Sequence, residues 1–151
     1  MDLKIKSLLY DHCLKLAHQR IQNSEEALSS AQESANHETK STAGDKHDTS
    51  RAMMHLETER LGKQLNEAQK LKRVLQGIDP LSRHKSVQTG SLVETGQGLF
   101  YFAISAGKFE HEGHVYYTAA PSSPVFQAMK GRKAGDTFQM NNRTIEILSI
   151  Q

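Results

Sequence analysis

Apolar residues recur through the first half of the chain in alternating steps of four and three. Positions 3, 7, 10, 14, 17, 21, 24, 28, 31 and 35 read Leu3, Ser7, Tyr10, Leu14, Ala17, Ile21, Ser24, Leu28, Ala31 and Ala35, eight of the ten apolar. A second series reads Met54, Thr58, Leu61, Leu65, Ala68, Lys72 and Leu75, with five of seven apolar. Both are the stripes of a coiled-coil seam. They oppose one another if the chain turns back between Gly44 and Asp45, pairing Leu14 with Leu75, Ile21 with Ala68, Leu28 with Leu61 and Ala35 with Met54. The polar, Gly-containing stretch from Thr39 to Thr49 suits that turn. An antiparallel helical hairpin is therefore expected over 1–78, with its tip near 39–49. At 1.5 Å rise per residue, Leu14 to the turn makes a thin arm of about 45 Å.

Off the seam, Ile5, Leu8, Leu9, Cys13 and Leu16 on one helix and Leu71, Val74 and Ile78 on the other form an apolar surplus at the base. The remainder of the chain is the expected cover for it. Residues 79–151 hold all three prolines, seven of the ten glycines and eight of the nine aromatics, a shift in punctuation that marks a change of architecture near Asp79-Pro80. Short β-like runs at Ser91–Glu94, Leu99–Ala106, His114–Ala119, Thr137–Met140 and Thr144–Ile150 predict strands. Met140-Asn141-Asn142-Arg143 predicts a two-residue hairpin turn, because Asn tolerates positive φ. Pro124 predicts the start of a short helix through Lys130, stopped by Gly131. The expected fold class is α+β: the hairpin, then a small antiparallel sheet with one short helix.

Composition narrows the classes. With 36% apolar and 24% charged residues and a mean hydropathy of −0.61, an elongated, well-solvated protein is expected rather than one large core. No apolar run is long enough to span a membrane, and the charged N-terminus does not read as a signal peptide. The single cysteine, Cys13, excludes an internal disulfide and a Cys-based zinc site. A reducing, cytoplasmic setting is expected. The net charge of +2 is spread evenly, 12 basic and 11 acidic residues in 1–78 against 7 and 6 beyond. A general polyanion binder would show a basic face more plainly.

Chemistry concentrates at the expected tip. Gly44-Asp45-Lys46-His47-Asp48 sets two carboxylates three residues apart at the head of a helix, on one face. Such oxygens suit a hard ion like Mg²⁺, which keeps waters and shares ligands with a phosphate. They equally suit capping, with Asp45 as N-cap and Asp48 at N3. The two roles are compatible.

A hairpin with a tip reading Gly-Asp-x-x-acid, followed by Ser123-Pro124-Val125-Phe126-Gln127-Ala128-Met129-Lys130-Gly131-Arg132-Lys133-Ala134-Gly135-Asp136, resembles the GreA/GreB transcript cleavage factor family over nearly the whole chain. That family carries Asp-x-x-Glu at its coiled-coil tip and Ser-Pro, a short helix, then Gly-Lys-x-x-Gly-Asp in an FKBP-like C-terminal domain. The resemblance implies a factor, not itself an enzyme, that docks on bacterial RNA polymerase at the rim of the secondary channel. Ser123, Pro124, Gly131, Gly135 and Asp136 would then belong to the partner-binding domain. Asp45 and Asp48 would reach the polymerase active centre, help hold a second Mg²⁺ and promote cleavage of backtracked RNA. Two metals stabilise attacking and leaving oxygens in such hydrolysis.

Here the family's Glu is Asp48, one methylene shorter; the Asn after it is Thr49, and the downstream aromatic is missing from residues 49–60. These departures sustain a second reading, a channel-binding regulator that does not cleave. Arg51, Arg60 and Lys63 line the arm as contacts for nascent RNA or DNA phosphates, or as a solvated face. His37 and His47 flank the tip. His111-Glu112-Gly113-His114 offers a zinc pair or, more simply, a hairpin turn. Phe100, Tyr101, Phe102, Tyr116 and Tyr117 read as core and cross-strand packing. An FKBP-like isomerase would need an apolar, aromatic-lined pocket, and fold analogy does not carry function. A coiled coil serving only dimerisation would not need the slender alanine seam; a monomer is expected.

Overall fold

The computed structural model describes the backbone of residues 3–40 and 46–151 and the side chains of 4–37 and 49–151. Two helices, α1 (Leu3–Lys40) and α2 (Lys46–Gln76), precede six strands and a short helix: β1 (Leu92–Thr95), β2 (Gly98–Phe102), β3 (Lys108–His111), β4 (His114–Ala119), α3 (Pro124–Met129), β5 (Thr137–Met140) and β6 (Arg143–Ile150). The class is α+β, a long helical hairpin with a mostly antiparallel six-stranded sheet. Among the described residues no helix is long and apolar enough to cross a membrane.

Contacts divide the chain into two compact units, Ala17–Lys72 and the combination of Met1–Leu16 with Arg73–Gln151. The first is helix on helix. Ala17, Leu61 and Ala68 are buried in it, and Ile21, Ser24, Leu28, Ala31, Ala35, Met54, Thr58 and Leu65 are half-buried, whereas most intervening positions are exposed. The two stripes of the sequence are thus the seam. Ala35 and Met54 line one cleft together, as the antiparallel register pairs them; Ser24, Ala68 and Leu71 line another. Alanines keep this seam thin, so its stability draws on a narrow strip of burial.

In the second unit the strand order is β3-β4-β2-β1-β6-β5. Every neighbouring pair is antiparallel except β2–β4, where Leu99 lies beside Tyr116 and Phe102 beside Ala119 in parallel. This one pair departs from the antiparallel pattern because β3, absent from the strands the sequence predicts, reverses the chain first. Lys108–His111 is an outer strand with alternating exposed and half-buried residues, so its pattern carries little apolar signal. The run drawn as Leu99–Ala106 ends as a strand at Phe102; Ala103 and Ile104 are buried without continuing it. The Asn141-Asn142 turn has both φ values positive, at 51° and 62°, which is the twist a two-residue hairpin needs.

One face of the sheet packs under α3, with Val87, Val93, Phe102, Phe126, Met129, Phe138 and Ile147 in a single core. Phe102 and Phe126 meet edge-on at 5.1 Å between centroids, a favoured aromatic geometry. The other face receives the base of the helices. Cys13 lies close to Tyr101 and to the Ile104 backbone, and burial pushes its thiol up to about 11. Ile5, Leu9 and Leu75 are buried as well. His12 bonds the Ala106 carbonyl at 2.9 Å and stacks obliquely on Phe109. The apolar surplus at the helix base is thereby covered.

Candidate functional site

Asp45 lies outside the described residues, and so do the side chains of Asp48 and His47; Asp48 falls in the first turn of α2. The convergence of the two carboxylates is therefore a matter of spacing alone. Among the described residues no group of three or more His, Cys, Asp or Glu side chains is arranged to hold a metal. His37 is exposed.

The basic residues of the hairpin are placed on its surface. Arg60 is engaged by Glu57 one turn earlier through two hydrogen bonds, which holds the Glu57 carboxyl below its usual range and raises the guanidinium. Lys63 and Arg60 share a groove of about 600 Å³ with Arg20. Arg51 lines a separate cleft with Ala35 and Met54. Arg60 and Lys63 are therefore together, and Arg51 is apart from them. Arg20 escaped the sequence reading although it sits one position before the seam residue Ile21.

The Ser123–Asp136 segment is built from the residue types its motif demands. Ser123 is extended, and its Oγ accepts from Phe126 N at 3.3 Å, capping α3; Pro124 supplies the first helical position with a preset φ. Gly131 at φ +79° and Gly135 at φ +93° turn the chain where other residues are strained. The Asp136 carboxylate accepts from Lys133 N at 2.8 Å, while Asp136 N donates to the Lys133 carbonyl at 3.0 Å. The turn is tied back through Gly131 N to the Val87 carbonyl and Val87 N to the Arg132 carbonyl, both at 2.9 Å. Each motif residue thus has a conformational task. The result is an exposed loop, Lys130 through Asp136, presenting Lys130, Arg132 and Lys133. Those three cations sit inside the motif, between and beside its glycines.

His111 and His114 are direct partners across the β3–β4 hairpin, with Glu112 at φ 49° and Gly113 at φ 78° between them. This is the turn reading of that tetrapeptide. Of the aromatics, Tyr101 and Phe102 are fully buried, and Phe100 packs obliquely on the part-exposed Tyr117 at 5.8 Å.

A buried polar network also went unforeseen. Lys6, with no exposed surface, donates to the carbonyls of Ser82 and Gln151. His84 bridges the Ser82 and Ser91 hydroxyls at 3.1 and 2.7 Å. The available signal was position: Lys6 falls on the stripe Leu9, Cys13, Ala17 at helical spacing.

Comparison with family models, with curated proteins and with solved structures finds no match to this chain.

Proposed function

We propose that this chain is a transcription elongation factor. It binds bacterial RNA polymerase at the secondary channel and brings Asp45 and Asp48 near the active centre, where the polymerase cleaves backtracked RNA. The observation that carries the reading is the Ser123–Asp136 segment, whose Ser-Pro, Gly131, Gly135 and Asp136 match the motif in order and spacing, with Arg132 where the family has Lys, in a chain that also carries two long helices and the sequence Gly-Asp-x-x-Asp. The exposed Lys130, Arg132 and Lys133 within that segment add a cationic surface for an acidic patch on the partner. Asp45 and Asp48 offer hard oxygen donors of the kind Mg²⁺ takes, and the ion when shared with the polymerase supplies charge stabilisation at the scissile phosphate. The chain's own part is delivery: a slender seam of Ala31 and Ala35 suits passage through a pore.

The shorter acid Asp48 and the adjoining Thr49 favour one alternative, a channel-binding regulator that occupies the pore without promoting cleavage. Transcript cleavage in a halted, backtracked complex separates the two. Shortened 3′ fragments that vanish with Asp45→Ala and Asp48→Ala, while co-elution with polymerase persists, support the cleavage factor. Unchanged RNA with co-elution supports the regulator. Neither cleavage nor co-elution overturns both.

A further inference from the structure

Under α3 the sheet core is left open at one end. A cavity of about 610 Å³ is lined there by Phe100 of β2, Val125 of α3, Phe138 and Met140 of β5 and Ile145 of β6. Phe138 and Ile145 belong to the buried core, whereas Phe100, Val125 and Met140 are only partly buried against it. Apolar core therefore runs out to a surface that water reaches, at a size typical of ligand clefts, roughly 300–1,000 Å³. The mouth is polar and carries one charge. Gln97 and Asn141 bring amides from two different turns, and Arg143 brings a guanidinium with no ion pair among the described residues.

The cleft adjoins an open strand. β5 is outermost in the sheet and pairs only with β6. Met140 and Arg143 flank a two-residue turn, so they form a hydrogen-bonded pair, and the alternation along the ladder turns the main-chain groups of Gln139 and Thr137 outward. Phe138 and Met140 lie on the cleft side, with Thr137 and Gln139 exposed on the other. An apolar cleft beside an unpaired main-chain edge is the arrangement that captures extended peptides.

The geometry points to a peptide-binding cleft: an extended segment places a bulky apolar side chain among Phe100, Phe138 and Met140, and a neighbouring carboxylate meets Arg143. The ligand class is an apolar–acidic peptide. The inference goes beyond transcription, and its test needs no polymerase.

The experiment is methyl and amide NMR of the full chain titrated with two capped pentapeptides, Ala-Ala-Phe-Asp-Ala and Ala-Ala-Phe-Lys-Ala, and with decanoate. Saturable shifts at Val125, Met140 and Ile145 are expected, with the acidic peptide bound at least about threefold tighter than the basic one. Arg143→Gln, a surface change, should bring that ratio close to one. Val125→Lys should remove binding of both peptides while the buried Leu9 and Leu92 resonances stay in place. The proposal is overturned by no shift at about 5 mM peptide, by shifts centred elsewhere, or by a ratio unchanged in Arg143→Gln. Decanoate binding in the cleft that neither peptide displaces also overturns it, since the site would then serve a fatty carboxylate.

Discussion

Lys6 Nζ donates to the Ser82 main-chain carbonyl at 2.6 Å, joining residues 76 apart in sequence. A second bond reaches the Gln151 carbonyl at 3.1 Å. Burial lowers the lysine's pKa, and the nearby Asp79 carboxylate works against that. Lys6→Met keeps the apolar stem and leaves both carbonyls without this donor. A loss of about 1–3 kcal/mol is expected, read from the urea midpoint at pH 7. An unchanged midpoint would show that desolvating the ammonium cancels what its bonds contribute.

The same network makes stability depend on pH through His84. Burial, and then the positive charge of Lys6, lower its pKa from the ordinary 6.5. The unfolded chain therefore takes up a proton more readily than the native one. His84's contribution is complete above the ordinary imidazole pKa and is lost as pH falls through the lowered native value. Urea midpoints should drop between pH 7 and pH 5, with a shallower drop in His84→Gln. Equal slopes for the two proteins would remove His84 from the explanation.

Gly135 at φ +93° has nothing within 4 Å of an added Cβ, so its substitution isolates backbone strain from packing. Gly135→Ala is expected to cost about 1–2 kcal/mol, with a fall in Tm of about 2–4 °C for each kcal/mol in a chain of this size. Gly135→Asn should lose less, since Asn accepts this region more readily. If alanine leaves Tm unchanged but weakens polymerase co-elution, the glycine acts at the interface rather than in the turn.

Every aromatic side chain lies in the unit formed by Met1–Leu16 and Arg73–Gln151, and none in Ala17–Lys72. Near-UV circular dichroism therefore reports one unit, while the 222 nm signal is dominated by the helices. Leu61 is buried in the seam, and Leu61→Ala should cost about 2 kcal/mol or more. The 222 nm transition should move to lower temperature while the near-UV transition holds. Coincident shifts would mean the two units melt together.

The seam was legible because its period is strict: each described position from Ser7 to Ala35 and from Met54 to Leu75 is at least half-buried. The Asn141-Asn142 turn and the Pro124 helix were legible because each rests on a residue type with one conformational preference. Direction was not: the continuous apolar run Leu99–Phe102 marks a covered strand without saying which way its neighbour runs, so the parallel β2–β4 pair could not be read from it. Of the candidate site, the capping role of Ser123 and the turn role of Asp136 follow from local rules. Lys6 was missed since a lysine between Ile5 and Ser7 reads as solvated until its stripe is traced. The reach of Asp45 and Asp48 toward each other rests on their numbering.

The place of β6 has a consequence for the order in which the chain matures. That strand lies between β1 and β5, with Val93 opposite Ile150. During synthesis, the sequence of the unit Ala17–Lys72 is complete well before the last strand is made. The sheet must wait for Arg143–Ile150, because without them β1 has one bare edge and β5 has no neighbour at all. Until then Leu92, Val93 and Phe138 are exposed to whatever else is sticky nearby. A nascent chain stalled before residue 143 would therefore carry an unfinished, chaperone-dependent sheet, with Leu9, Cys13 and Leu75 at the helix base still lacking their full cover.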